Sequence, residues 1–95
     1  MRVYETMLLL RPEQEEEQVT ATVERIQGII QADGGEMKNV DRWGKRRLAF
    51  EVNGQREGIY VVLAFTSGSA ALKEMNRVLG LAEEVLRHFT IRKEE

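Results

Sequence analysis

Residues 43 to 52 read Trp43-Gly44-Lys45-Arg46-Arg47-Leu48-Ala49-Phe50-Glu51-Val52, a cationic cluster that runs directly into a strand-like alternation. Leu48, Phe50 and Val52 are two residues apart, so they share one face of an extended backbone. A glycine inside a strand pattern indicates a bend or bulge. The stretch therefore predicts a half-buried β-strand, bent at Gly44, with one basic and exposed end.

The residues on either side of this stretch predict five further elements. Alternating apolar residues indicate strands, and apolar residues three or four apart indicate helices. In chain order we predict a strand at Arg2 to Leu10, a helix within Pro12 to Asp33, the long strand Glu36 to Val52, a strand at Ile59 to Thr66, a helix marked by Leu72, Met75, Val78 and Leu79, and a strand at Val85 to Arg92. This order is the split β-α-β pattern. It predicts an α+β, ferredoxin-like β-α-β-β-α-β fold, with a four-stranded antiparallel sheet and two helices on one face.

Serine and glycine mark the connections and helix ends. Gly34-Gly35 is expected to stop the first helix and Gly80 the second. Ser67 or Ser69 is expected to cap the start of the second helix. A turn-rich connection at 53–58 carries the Asn-Gly hairpin signal. Gly28 interrupts the first helix, which a close approach to the sheet would explain.

Length and composition are typical of one globular domain. The 95 residues, with 42% apolar and 32% charged, suit one domain spanning 1–95. The chain has no Cys, which excludes disulfides, thiol nucleophiles and thiolate metal sites. Its longest early apolar run, Met7 to Leu10, is too short for a signal sequence or membrane span. A cytoplasmic protein that does not contact membranes is expected.

Two helices can cover only one face of the sheet. The opposite face is predicted, by alternation, to be rich in apolar side chains, namely Val3, Met7, Leu9, Tyr60, Val62 and Ala64. A contiguous apolar face on a soluble chain marks an interaction site. We therefore expect a partner to dock there.

Positive charge is concentrated around the quoted stretch. Residues 37 to 56 contain six Lys or Arg and two acids, whereas the whole chain carries a formal net charge of -2. Such a local excess is typical of a confined contact with a polyanion, although a solvated strand end would look the same. Trp43 lies inside the cluster, where it could stack on a base or cover the sheet edge.

Catalytic and metal-binding patterns are weak in this sequence. His88 is the only histidine and has no nucleophile or base near it in sequence. The carboxylates at 13–17 point around a helix start and complement its dipole. We therefore expect no enzyme, metal, cofactor or small-molecule substrate.

In the basic stretch and at several other positions, the chain resembles the ribosomal protein S-six family of the bacterial small subunit. The resemblance is carried by Gly44-Lys45-Arg46-Arg47-Leu48-Ala49-Phe50, supported by Met1-Arg2-Val3-Tyr4-Glu5, Pro12, Gly34 and Gly58-Ile59-Tyr60. It covers essentially the whole chain. Phe50 departs from the tyrosine usual in the family.

The resemblance implies a structural, non-enzymatic role in the ribosome. Members bind the central domain of small-subunit (16S) ribosomal RNA together with the S-eighteen ribosomal protein. RNA contact is then expected from the cations Arg2, Arg42, Lys45, Arg46 and Arg47. Partner docking is expected from Val3, Met7, Trp43, Phe50, Tyr60 and Val62.

The same fold also serves ligand-sensing modules and small enzymes. A ligand-sensing or self-associating regulatory module would use the apolar face but would not account for Lys45-Arg46-Arg47. An acyl-phosphate hydrolase would need an anion-binding loop after the first strand, where this chain has Arg11-Pro12-Glu13 and further acids.

Overall fold

The computed structural model describes residues 1–93, which form the six predicted elements. They are β1 (Arg2–Leu10), α1 (Glu16–Ala32), β2 (Glu36–Val52), β3 (Gln55–Ser67), α2 (Ser69–Leu81) and β4 (Val85–Arg92). The strands form one sheet in the order β2-β3-β1-β4, and every neighbouring pair is antiparallel. This is the ferredoxin-like arrangement predicted from the sequence. The last two residues of the predicted domain, Glu94 and Glu95, lie outside the described residues.

The core lies between the helices and one face of the sheet. Both central strands send alternate side chains towards α1 and α2, and the buried cluster consists of Leu8, Leu10, Val61, Leu63 and Phe65 from the sheet with Val19, Val23, Ile26, Ile30, Met75 and Leu79 from the helices. The other face of β1 and β3 points away from the helices. We call it the open face.

The long hairpin of β2 and β3 is tighter than the sequence suggested. Asn53 and Gly54 both have positive φ, at 47° and 79°, and form the turn by themselves. Because this turn needs only two residues, β3 begins at Gln55 rather than at Ile59. The register of β2 against β3 shifts between Arg42 and Gly44, which confirms the bulge predicted there.

The C-terminal end of α1 agrees with the sequence-based prediction, whereas both ends of α2 differ from it. Gly34 follows α1 with φ of 82°, as predicted for a helix stop. The serine cap predicted for α2 was wrong, because Gly68 takes the N-cap position and the backbone N–H of Ala71 donates instead to Asp33 Oδ2 at 3.2 Å. Gly80 lies inside α2, which continues to Leu81.

Gly28 is exposed on α1, and a Cβ placed there would meet nothing within 4 Å. The close approach to the sheet predicted at Gly28 was therefore wrong.

Candidate RNA and partner interface

The cationic cluster lies on the edge strand β2, where its side chains are exposed. Lys45, Arg46 and Arg47 follow the bulge and pair with Ile59, Gly58 and Glu57 of β3. Because side chains alternate along a strand, the cluster presents cations on both sides of this edge. All three side chains are exposed. Phosphates approaching the edge from solvent would therefore reach them without displacing protein atoms.

Carboxylates neutralise this cluster little. Within residues 1–93, no Asp or Glu oxygen lies within 4.0 Å of a charged nitrogen of Lys45, Arg46 or Arg47. Arg46 makes one contact within the protein, since its Nε donates to the Trp43 carbonyl at 3.4 Å. The remaining guanidinium donors of Arg46 are left for a ligand. An exposed arginine with free guanidinium donors is well suited to binding phosphate.

Arg42 is placed differently from the rest of the cluster. It pairs with the buried Val61, so it points to the helix side of the sheet. Its Nη2 donates to Thr20 Oγ1 at 2.7 Å, and its Nη1 lies 3.9 Å from Glu16 Oε1. The hydrogen bond occupies one guanidinium donor, and the solvent-exposed carboxylate offsets part of the charge that Arg42 would offer to an anion.

Arg2 is not brought to the cluster. It pairs with Ser67, which lies eight positions along β3 from the partner of Lys45, Ile59. At about 3.3 Å per residue this corresponds to about 26 Å along the sheet. Arg2 and the cluster would therefore touch different parts of one large ligand.

The predicted docking residues do come together on the open face. Met7 and Val62 are directly opposite each other in the centre, and Leu9 and Tyr60 form the next pair. Val3 lies on the same face towards the far end of β1, where it pairs with Thr66. The open face is therefore largely apolar across both central strands, as the alternation predicted, with Glu5 between Val3 and Met7 as its charged residue on β1.

Phe50 extends this apolar surface from outside the sheet. The end of the hairpin, residues 48 to 52, lies over the open face and encloses with it a groove of about 370 Å³. Phe50 lines the groove but remains 83% exposed. The half-buried strand predicted here holds for Leu48 and Val52 and was wrong for Phe50, because the register shifts between Arg47 and Val52 and no residue of β3 pairs with Phe50.

Three residues of this surface were missed by the sequence reasoning. Phe89 pairs with Met7, Ile91 with Glu5 and Arg87 with Leu9, so all three lie on the open face. Phe89 is 62% exposed and Ile91 is 43% exposed. Their alternation along β4 was the available signal, but assigning it to a face required the register with β1.

Trp43 lies between the cluster and the open face. Its ring centroid is 5.9 Å from that of Tyr60 and 5.8 Å from the guanidinium carbon of Arg46. Its indole Nε1 donates to Asp41 Oδ2 at 3.0 Å. Trp43 therefore covers part of the open face, as the predicted docking role requires, and still leaves 42% of its surface exposed.

The single histidine lies away from this surface, on the helix side of the sheet. His88 lies half-buried opposite Leu8 on β4. Within residues 1–93, no three His, Asp or Glu side chains are placed to hold a metal ion. No helix there has the length and apolar content that a membrane crossing needs.

Comparison with known proteins agrees with the fold and the sequence motif. The family model for ribosomal protein S6 matches residues 3–92. The small ribosomal subunit protein bS6 of Desulforamulus reducens is 44% identical over 95 residues, with both chains covered completely. That of Carboxydothermus hydrogenoformans is 41% identical over 95 residues, covering 100% of this chain and 99% of the relative.

A solved structure shows the same architecture. The crystal structure of 30S ribosomal protein S6 from Thermotoga maritima superposes with a TM-score of 0.88 at 32% identity, covering 97% of this chain and 87% of that one. Agreement of the family model, full-length relatives and the fold leaves one assignment. The chain belongs to the ribosomal protein S6 family, a family of non-enzymatic proteins of the small ribosomal subunit.

Proposed function

We propose that this protein binds the central domain of small-subunit ribosomal RNA together with the S-eighteen ribosomal protein, in the cytoplasmic ribosome. One observation carries the proposal: in the described chain, three unneutralised cations and the exposed apolar side chains lie on adjoining but separate surfaces. The cluster Lys45, Arg46 and Arg47 lies along the edge of β2, and the apolar residues lie on the open face. Family membership supports a ribosomal role over a ligand-sensing module.

The RNA contact is assigned mainly to this cluster. Three exposed cations supply phosphate contacts on a chain of net charge -2, so RNA binding by the protein alone should be weak and strongly salt-dependent. Arg42 contributes less in this proposal because Glu16 lies beside it. Arg2 provides a separate contact about 26 Å away along the sheet.

The protein partner is assigned to the open face. Val3, Met7, Tyr60 and Val62 form its apolar surface, and Trp43 and Phe50 extend it towards the hairpin. Burial of apolar area contributes about 25 cal/mol per Å², so a face of a few hundred Å² gives several kcal/mol before the costs of association. Two partners that share one RNA site would bind it more tightly than either alone.

A salt titration of binding to a central-domain RNA, with and without the S-eighteen protein, tests this function. We expect tight binding only with both proteins present. Arg46→Ala with Arg47→Ala should weaken binding and reduce the slope of log K against log salt by about 0.7 to 0.9 for each phosphate that is no longer neutralised. Lys73→Ala with Arg77→Ala removes the same charge from α2 and should leave the slope unchanged.

Two results would contradict the proposal. If this protein binds the RNA equally tightly with and without the S-eighteen protein, the two proteins do not form a shared RNA-binding surface. An equal decrease of slope in both double variants would show that net charge, and not the edge cluster, attracts the RNA.

A further inference from the structure

We propose that Trp43 and Arg46 form a stacking site for one unpaired nucleobase of RNA, with Lys45 and Arg47 contacting the adjoining phosphates. This inference rests on the proposed function, because it specifies the kind of RNA segment that the edge cluster receives. It distinguishes a looped or single-stranded segment from a paired helix. Trp43 keeps its place at the border of the docking face, and the base takes the part of the indole that remains exposed.

The geometry holds the indole in a fixed position with its polar atom already used. The Nε1 hydrogen bond to Asp41 Oδ2, at 3.0 Å, leaves no donor for a ligand. Tyr60 packs against the ring with an interplanar angle of 40° and supports it from the sheet. What remains for recognition is therefore the ring surface, and 42% of the residue is exposed.

The bulge in β2 explains why an aromatic side chain is available here. The register shifts between Arg42 and Gly44, so Trp43 has no paired residue on β3. Gly44 has φ of 81°, a conformation that L side chains rarely adopt, and it lets the strand resume after the bulge. The side chain of an unpaired bulge residue is re-aimed relative to the ladder, and bulges commonly serve this purpose.

Arg46 adds a second flat group to the indole. Its guanidinium carbon lies 5.8 Å from the ring centroid, a distance typical of a cation–π contact. Bases of unpaired RNA stack on both aromatic rings and guanidinium planes. The pair thus offers a base either the outer plane of Arg46 or, if Arg46 turns to a phosphate, the indole itself.

The charge around Trp43 favours a polyanion. Within residues 1–93, Lys45, Arg46 and Arg47 have no carboxylate within 4.0 Å, so these three cations are available to phosphate. The one carboxylate that touches the indole, that of Asp41, accepts the Nε1 hydrogen bond. A single-stranded nucleic acid supplies both groups that this site can bind, namely phosphates for the cations and flat bases for the ring surface. A base in a paired helix is already stacked between neighbours, so the segment must be unpaired.

Because Trp43 is the only tryptophan, its fluorescence reports this site alone. The probes are a short single-stranded RNA and a blunt RNA duplex of the same length, each titrated into the full chain at low salt. We expect the single strand to quench the emission of Trp43 and the duplex to leave it nearly unchanged. Absence of quenching by the single strand would overturn the inference.

Variants separate stacking from phosphate contact. Trp43→Leu keeps apolar packing on Tyr60 but removes the ring, and should weaken single-strand binding about tenfold or more while the salt slope stays the same. Trp43→Phe should recover part of the affinity. Equal affinity of the Leu variant and the wild type for the single strand would show that no base stacks there.

A measurement with the S-eighteen protein and no RNA decides between the two kinds of partner. Trp43 also borders the docking face, so some loss of protein–protein affinity in Trp43→Leu is expected and does not count against stacking. If Trp43→Leu loses affinity for the S-eighteen protein but binds the single-stranded RNA as the wild type does, the indole serves only the protein partner and the stacking site is wrong. Failure of the proposed function looks different. In that case Arg46→Ala with Arg47→Ala leaves binding of the central-domain RNA unchanged, whatever Trp43 does.

Discussion

Asp33 is expected to hold α2 in place from the end of another helix. It is the C-cap residue of α1, and its Oδ2 accepts a hydrogen bond from the backbone N–H of Ala71, in the first turn of α2, at 3.2 Å. No side chain from α2's own start caps it. Replacing a capping acceptor with alanine costs about 0.5 to 2 kcal/mol. Asp33→Ala should therefore lower the free energy of unfolding by about 1 kcal/mol.

The assays are urea unfolding, for the free energy, and thermal unfolding, for Tm, both followed by circular dichroism with the variants compared at one pH. A decrease of about 1 kcal/mol corresponds to a fall of about 4 to 8 °C in Tm for a domain of this size. Asp33→Asn keeps an oxygen acceptor but removes the charge that favours a helix N-terminus, so it should destabilise less.

Ser69→Ala is the matched control, because the side chain of Ser69 makes no capping hydrogen bond in α2. It should change stability by less than about 0.5 kcal/mol. The reasoning is refuted if Ser69→Ala costs as much as Asp33→Ala, or if Asp33→Ala is neutral. The first result would return the cap to the serine that the sequence suggested, and the second would show that the hydrogen bond from Ala71 to Asp33 does not stabilise the fold.

Two further predictions concern stability and docking. Gly28→Ala should raise the free energy of unfolding by up to about 1 kcal/mol, because the added methyl enters open space on an exposed helix, as urea unfolding would show. Gly35→Ala is its contrast and should destabilise, since the new Cβ would meet the Thr66 carbonyl oxygen. A gain at both positions or at neither would contradict this account. Val62→Lys places a charge in the middle of the open face, where Val62 is only half-buried, and should weaken binding of the S-eighteen protein about tenfold or more while the fold survives. Gln31→Lys adds the same charge on α1, and equal affinity of these two variants in a pull-down titration would show that the open face is not the docking surface.

Much of the candidate interface was readable from the sequence because strand alternation assigns faces locally. Val3, Met7, Tyr60 and Val62 were placed on one face by counting in twos, and the register confirms that they share it. Alternation does not show how far apart two residues on different strands lie along the sheet. Only the pairing of β1 with β3 shows that Arg2 lies at the far end from the edge cluster.

The remaining features of the interface could not be predicted, because they depend on contacts between residues that are distant in the sequence. Arg42 and Arg46 look equivalent in the sequence, but the bulge between them turns Arg42 towards Glu16 and leaves Arg46 beside Trp43. Phe89 could not be assigned to the open face until its partner Met7 was known.

The sequence by itself determined the six elements, their order and hence the fold, because hydrophobic period and turn residues act within a few positions of the chain. It also determined the bulge at Gly44 and the hairpin connection that begins at Asn53-Gly54, since both depend on local backbone conformation. The tertiary structure alone decided that Asp33 caps α2, that Phe50 stays exposed over the open face, and that Trp43 rests on Tyr60. Each of these depends on groups brought together across the sheet or between helices, and no local pattern encodes that proximity.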